Sequence, residues 1–176
     1  MISARAGTTG SSHARSARLP TVSHVVFVCS GNICRSPMAE LVFRAKLAEA
    51  GLEDAVTVSS AGIGPWHRGE PADQRAQATL KAHGYPTQHV ASQVDDSDLE
   101  ADLLLAADEG HLDFLRARVV DPSRVRLLRE FDPTAKVGAE VPDPYYGDGD
   151  GDGFEDVLAM IERAMPGLIA WVRTHG

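Results

Sequence analysis

An apolar run, a short polar loop and a helical segment follow one another early in this chain, and this order restricts it to few folds. Residues 24–28 read His-Val-Val-Phe-Val, a run with β-branched residues that predicts a buried strand of a parallel sheet. Ser36 suits the N-cap of the following helix, Pro37 suits its first position, and Gly51 is expected to end it. Residues 29–36 are therefore predicted to connect the carboxyl end of a strand to the amino end of a helix.

The residue types in this loop are suited to holding an anion beside a nucleophile. Loop amides and the positive end of a helix bind dianions, and the same field favours the thiolate form of Cys29. Arg35 offers a planar guanidinium that can hold two phosphoryl oxygens at once. Gly31 permits close approach of the backbone, and Asn32 tolerates a left-handed conformation. The hydroxyl of Ser36 is placed to donate a hydrogen bond to the thiolate.

A phosphate-ester hydrolase also needs an acid, because the leaving oxygen must be protonated. The candidate is Asp143, which lies in the sequence Pro-Asp-Pro-Tyr-Tyr at residues 142–146, where the flanking prolines stiffen the chain. Ordinary turn chemistry also explains an Asp-Pro segment near a glycine. Because Asp143 is far from Cys29 in the sequence, only the fold can bring the two side chains together.

The aromatic residues Trp66, Tyr145 and Tyr146 fall in loops that contain glycine or proline, although aromatic residues make up only 6% of the chain. Rings around an anion pocket can stack on a phenyl group and deepen the pocket beyond the reach of phosphoserine. The alternative is that they cover the loops as small hydrophobic clusters.

The string Val-Cys-Ser-Gly-Asn-Ile-Cys-Arg-Ser-Pro-Met-Ala-Glu at residues 28–40 resembles the signature of the low-molecular-weight protein tyrosine phosphatases. The resemblance covers roughly residues 25–172 and includes Asp-Pro-Tyr-Tyr from Asp143. It implies that Cys29 forms a cysteinyl phosphate, that Arg35 binds the phosphoryl oxygens, and that Asp143 serves as general acid and then as base. It further implies a phosphate loop of Ser30, Gly31, Asn32, Ile33, Cys34 and Ser36, a pocket rim of Trp66, Tyr145 and Tyr146, and support of Asn32 by Ser60 and His89.

Within the resemblance, Ile33 favours phosphotyrosine, because the similar proteins that act on phosphoarginine tend to carry Thr at that place. Ser30 is smaller than the Leu or Thr often found there, so one wall of the pocket is left undefined. A reversible disulfide between Cys29 and Cys34 is also implied, and the alternative is that Cys34 only packs beneath the helix. The alternatives are a protein-arginine phosphatase, an arsenate reductase, which would need more cysteines, and a non-catalytic module that binds phosphotyrosine.

The number and spacing of the cysteines argue against structural disulfides and against a zinc site. Two cysteines in 176 residues exclude a scaffold of structural disulfides and favour a reducing compartment. Their spacing, with no clustered histidine, is poor for zinc. Residues 148–153 copy the start of a calcium loop, but Ala159 occupies the position that requires a bidentate Glu. We expect no metal and no cofactor.

Downstream of the first helix, strand patterns alternate with helical patterns. Strands are predicted at residues 55–60, 102–107 and 125–128, and helices at residues 71–83, 109–118 and 154–173. This alternation predicts one α/β domain over residues 22–176, built as three α/β/α layers around a four-stranded parallel sheet. The phosphate-binding loop then lies beyond the carboxyl ends of the strands, where such folds bind ligands.

The charge and the apolar content of the chain limit the kinds of molecule that it is expected to bind. The net charge of −8 argues against nucleic acid or an anionic membrane, and no apolar run approaches the ~18 residues of a membrane span. Residues 1–21 contain no acidic residue and no apolar centre, so we expect a disordered tail rather than a secretory signal. The expected protein is cytoplasmic, a monomer or weak dimer, and acts on a phosphotyrosine-containing protein.

Overall fold

The structure is a computed structural model that describes residues 23–147 and 152–176. The predicted tail at residues 1–21 and most of the calcium-like segment at 148–153 lie outside the described residues. No helix in the described part is long and apolar enough to cross a membrane.

Four parallel strands form a sheet in the order β2-β1-β3-β4, which confirms the predicted sheet. β1 pairs with both β2 and β3, so the chain leaves β1 toward one side of the sheet and later returns to the other side. A crevice for ligands forms at such a reversal, beyond the carboxyl ends of the strands. The bounds are β1 Ser23–Cys29, β2 Val56–Gly62, β3 Leu103–Ala106 and β4 Val125–Leu127.

The helices lie on both faces of this sheet, as the predicted three layers require. The side chains of β1 alternate: Val25 and Phe27 belong to the core under α1 and α5, whereas Val26 and Val28 belong to the core under α4. Phe27 meets Phe43 of α1 edge to face, with ring centroids 5.7 Å apart. Burial of each such side chain is worth about 1.5–3 kcal/mol. The bounds are α1 Arg35–Glu49, α2 Gln74–Ala82, α3 Asp96–Leu99, α4 Glu109–Arg116 and α5 Asp152–His175.

Three details differ from the predicted elements. The four-residue helix α3 was not predicted, because it is too short to show a helical period. α2 begins later than residue 71, since Asp73 is its N-cap and accepts a hydrogen bond from the Arg75 amide. Leu128, predicted to end the last strand, begins a 3₁₀ turn instead.

The predicted N-cap of α1 is wrong. The helix begins one residue before Ser36, and Cys34 occupies the N-cap position without a side-chain hydrogen bond. The hydroxyl of Ser36 instead contacts the Cys29 thiol and accepts a hydrogen bond from the side-chain nitrogen of Asn32. The first amides of α1 therefore have no side-chain cap. Gly51 follows the helix at a φ of 67°, in agreement with the predicted stop.

Candidate active site

The loop after β1 curls around a cleft of about 410 Å³. Cys29 lies at its floor, 3% exposed, with its sulfur 2.9 Å from the Ser36 hydroxyl oxygen. The end of β2 passes very close to the loop, because a Cβ at Gly62 would lie only 2.8 Å from the Ser30 carbonyl oxygen. The cleft is lined by Cys29, Ser30, Gly31, Ile33, Cys34, Arg35, Trp66, His67, Asp143, Tyr145 and Tyr146.

Asn32 fixes the shape of the loop. It is fully buried and has a φ of 58°, the only left-handed conformation among the described residues other than glycine. Its side-chain nitrogen donates to the hydroxyls of Ser36 and Ser60, at 2.8 and 2.9 Å, and its side-chain oxygen accepts from the Ser92 amide at 2.9 Å. The ring of His89 donates to its carbonyl oxygen at 2.8 Å. These bonds hold a strained backbone in place.

The two supporting residues from the sequence therefore both contact Asn32. Burial lowers the pKa of His89, and because its Nε2 faces a carbonyl oxygen, the ring carries its proton on that nitrogen. The Ser60 hydroxyl also binds the carboxylate of Glu40, one turn into α1. The loop is thereby tied to α1, β2 and the segment before α3.

Arg35 is buried and already held in position. Its NH1 donates to Asp108 Oδ2 at 2.9 Å and to the Val141 carbonyl oxygen at 3.0 Å. Its NH2 points toward the other side, 3.5 Å from the Ser30 hydroxyl and 3.6 Å from Asp143 Oδ2. With only 4% of the residue exposed, the guanidinium has one partly free edge, which faces the cleft.

Asp143, which lies far from Cys29 in the sequence, also lines this cleft. The Val141 amide donates to the carbonyl oxygen of Ala107 beyond β3, at 2.8 Å, which fixes the start of the loop. Asp143 Oδ1 accepts from the Tyr145 amide at 3.0 Å, and about one third of its side chain is exposed. Asp143, Cys29 and Arg35 thus line one pocket, although the sequence separates them widely.

The predicted rim residues surround the mouth of this pocket. Trp66 and Tyr146 are 66% and 84% exposed, and Tyr145 meets Tyr146 edge to face at 5.0 Å. Gly64 lies directly under Trp66, where a Cβ would meet the ring. Because the three rings line the cleft and remain exposed, the alternative that they merely cover loops is not favoured.

A family model described as low molecular weight phosphotyrosine protein phosphatase matches residues 24–175. The chain belongs to this family. It is 56% identical over 150 residues to low molecular weight protein-tyrosine phosphatase A of Mycobacterium tuberculosis, covering 85% of this chain and 91% of the relative. It is 52% identical over 154 residues to a protein of the same family from Streptomyces coelicolor, covering 85% and 93%.

The fold agrees with solved structures of the family. A protein tyrosine phosphatase from Entamoeba histolytica superposes with a TM-score of 0.80 at 33% identity, covering 86% of this chain and 97% of that one. Family members are phosphoric monoester hydrolases that work through a cysteinyl phosphate, so this phosphatase is an enzyme of that class.

The second cysteine of the phosphatase stays a thiol. Burial, and then the neighbouring charges of Asp73, Cys29 and Asp143, raise the pKa of Cys34 far above its usual range. Both cysteines are free and buried, and both line the cleft. Their reversible disulfide remains a prediction.

Sequence reasoning missed Asp108 and His111, which form the wall behind Ser30. The His111 ring is buried, its Nε2 lies 2.9 Å from the Ser30 hydroxyl, and burial lowers its pKa to about 4. Burial alone would raise the pKa of Asp108, but the His111 amide and Arg35 outweigh it and hold that pKa below its usual range. The position of Asp108, directly after a strand whose carboxyl end faces the loop, was the available signal.

Asp108 lies between the guanidinium of Arg35 and the neutral imidazole of His111. Its Oδ1 is 3.1 Å from Nδ1 of His111, outside hydrogen-bond geometry, and its Oδ2 is bonded to Arg35. Burial keeps the His111 imidazole neutral, and its Nε2 shares a hydrogen bond with the Ser30 hydroxyl.

Proposed function

We propose that this phosphatase hydrolyses phosphotyrosine in protein substrates, with Cys29 as nucleophile, Arg35 as phosphate ligand and Asp143 as acid and base. The observation that supports this most strongly is the convergence of these three side chains on one cleft whose mouth carries exposed aromatic rings. Neither a binding module nor a structural role needs an acid opposite a buried thiol.

In the first step the Cys29 thiolate attacks phosphorus, so that a sulfur–phosphorus bond forms as the bond to the tyrosyl oxygen breaks. Asp143 donates its proton to the departing oxygen, which leaves as a neutral phenol. Arg35 and the loop amides hold the equatorial oxygens through both bond changes. The Ser36 hydroxyl, 2.9 Å from the sulfur, stabilises the thiolate before attack and after release.

In the second step the ionised Asp143 takes a proton from water, whose oxygen attacks phosphorus. The sulfur–phosphorus bond breaks, the thiolate of Cys29 is regenerated and inorganic phosphate leaves. Arsenate reduction would need a third cysteine to relay the disulfide, and the chain has two.

The substrate is argued from the pocket walls. Ile33 gives an apolar side, and Trp66, Tyr145 and Tyr146 add rings at the mouth, so a phenyl ring is received better than an alkyl or guanidinium chain. We further propose that the enzyme works in a reducing compartment such as the cytoplasm, because both of its thiols are free. A monomeric or weakly dimeric state remains a prediction.

Metal-free hydrolysis of phosphotyrosine, phosphoarginine and phosphoserine versions of one peptide tests the proposal. We expect phosphotyrosine to be hydrolysed with much the highest kcat/KM, Cys29→Ser to abolish turnover, and Asp143→Ala to lower kcat by roughly 10²-fold or more while affecting phosphate binding little. Full activity of the Cys29→Ser protein would refute the mechanism. A preference for phosphoarginine would refute the substrate.

A further inference from the structure

The segment that carries Asp143 is held at its far end by a residue outside the pocket. Both terminal nitrogens of Arg75, near the start of α2, donate to the carbonyl oxygen of Tyr145 at 3.3 Å. The amide of Tyr145 in turn donates to Asp143 Oδ1 at 3.0 Å. Tyr145 belongs to residues 141–146, called the acid loop from here on. It therefore contacts the Asp143 carboxylate through its amide and Arg75 through its carbonyl group.

Arg75 is itself fixed by Asp73 and by two aromatic rings. Its Nε and NH2 donate to the two carboxylate oxygens of Asp73, at 3.0 and 2.9 Å, in a bidentate pair. The hydrogen bonds from Arg75 hold the pKa of Asp73 below its usual range, so the pair stays ionised at neutral pH. The guanidinium also lies 4.8 Å from the ring centroid of Phe154 and 5.5 Å from that of Tyr145.

The same pair reaches the nucleophile loop. The Asp73 amide donates to the carbonyl oxygen of Ile33 at 2.8 Å. A continuous series of contacts thus runs from Ile33 in the phosphate loop, through Asp73 and Arg75, to Tyr145 and the acid. At its other end the acid loop is fixed by Val141, which binds the end of β3 and Arg35.

Loss of the contact between Arg75 and Tyr145 is expected to lower the rate of catalysis. A general acid must stand within hydrogen-bond reach of the leaving oxygen, and small displacements of a catalytic group cost large factors in rate. Without Arg75 the Tyr145 carbonyl loses both guanidinium donors and the bidentate pair is broken. The segment that carries the Asp143 carboxylate would then be anchored only at its start, by Val141.

We propose that Arg75 is a positioning residue for the general acid and couples the acid loop to the phosphate loop. The inference rests on the proposed role of Asp143. Arg75 does not line the cleft, so it acts through Asp143 and has no contact with the phosphoryl group.

The test is the dependence of kcat/KM on the leaving group in a series of aryl phosphates that runs from p-nitrophenyl to phenyl phosphate. A poor leaving group needs the acid most. We expect Arg75→Gln to lower kcat/KM by about 10-fold for phenyl phosphate and by at most about 2-fold for p-nitrophenyl phosphate, with an unchanged inhibition constant for inorganic phosphate. Arg75→Lys keeps the charge without the fork and is expected to show the same trend, so it serves if the first variant does not fold.

Arg126→Gln is the matched control. Arg126 also pairs with a carboxylate, Glu130 at 2.9 Å, and also lies over a ring, Phe131 at 4.3 Å, but its hydrogen bond within the described residues goes to Glu130 and not to Tyr145. Its leaving-group dependence is expected to equal that of the unmodified enzyme. Equal losses for all leaving groups in the Arg75 variants, or a trend shared by Arg126→Gln, would overturn the proposal.

Asp143→Ala separates the two proposals. If this variant does not steepen the leaving-group dependence, the proposed acid is wrong. If it does and the Arg75 variants do not, only the positioning role is wrong. In the Asp143→Ala background, Arg75→Gln should lower kcat/KM no further, because the acid that Arg75 is proposed to position has been removed. A full additional loss in the double variant would contradict the inference.

Discussion

At the residue scale, Ser30 is the position whose role the sequence left undefined. Its hydroxyl lies between the buried ring of His111, at 2.9 Å, and NH2 of Arg35, at 3.5 Å. A larger apolar side chain there would leave the ring nitrogen buried without a partner. The small size of Ser30 is therefore matched to the histidine behind it.

Removal of this hydroxyl should be costly. Ser30→Ala leaves Nε2 of His111 unsatisfied in a buried site, so we expect the free energy of unfolding to fall by about 1–3 kcal/mol. We also expect a several-fold lower kcat/KM, because the orientation of Arg35 loses one contact. Ser30→Thr keeps the hydroxyl and should retain most of both quantities. Urea unfolding and assays with p-nitrophenyl phosphate measure them, and equal stability of the Ala variant would contradict this account.

The sequence predicts the residues of the site whose contacts or signature neighbours are local in the chain, and it misses those whose contacts are distant. Cys29 and Arg35 were predictable because they share one short loop, and Asp143 because its own neighbours are distinctive. Asp108 was missed, since its bond to Arg35 spans 73 residues and depends on the pairing of β1 with β3. Arg75 was also missed, because its bond to Tyr145 joins distant parts of the sequence. Its acceptor is a backbone carbonyl group, which no residue type in the sequence indicates.

At the element scale, the phosphate loop depends on how closely β2 approaches it. Strand β2 ends at Gly62, beside the backbone of Ser30 and Gly31, and Asn32 lies left-handed just beyond. The sequence predicted the strand and the helix on either side of this loop well, because burial imposes their periods. It placed the helix start incorrectly, because Ser36 is used by the loop and not by the helix.

Gly62→Ala tests this close approach. The added Cβ would lie 2.8 Å from the Ser30 carbonyl oxygen and 3.0 Å from the Gly31 carbonyl carbon, so the loop must shift. We expect the inhibition constant for inorganic phosphate to rise at least about 10-fold and kcat/KM to fall with it.

Gly51→Ala is the contrasting variant. Its Cβ would meet nothing within 4 Å, but its φ of 67° strains any other residue. It should therefore cost about 1–2 kcal/mol of stability and leave phosphate binding unchanged. Normal phosphate binding by Gly62→Ala would show that the loop does not need this glycine.

At the scale of the whole molecule, two histidines with buried rings among the described residues, His89 and His111, stay neutral at neutral pH. Burial lowers the pKa of His111 to about 4 and lowers that of His89 as well. The charged groups that act on His111 are Asp108, Arg35, Asp143 and Glu140, and they do not offset its burial.

The free energy of unfolding should therefore fall as the pH falls from about 6.5 toward 4. The unfolded chain takes up protons on these histidines below about pH 6.5 while the folded protein does not, so the stability is complete above that value and lost below it. His111 alone accounts for up to about 3 kcal/mol. Urea unfolding at a series of pH values measures the slope. His111→Asn should reduce it, and an unchanged slope would show that another group is responsible.

The guanidinium of Arg35 is held by Asp108 and Val141, which are parts of the protein itself, so its position does not depend on a bound phosphoryl group. A receptor that needs no rearrangement to receive a phosphate monoester needs none to receive free phosphate either. The product of the reaction is thus also a competitor for the site. We therefore expect the rate of hydrolysis to depend on the concentration of inorganic phosphate as well as on that of the substrate.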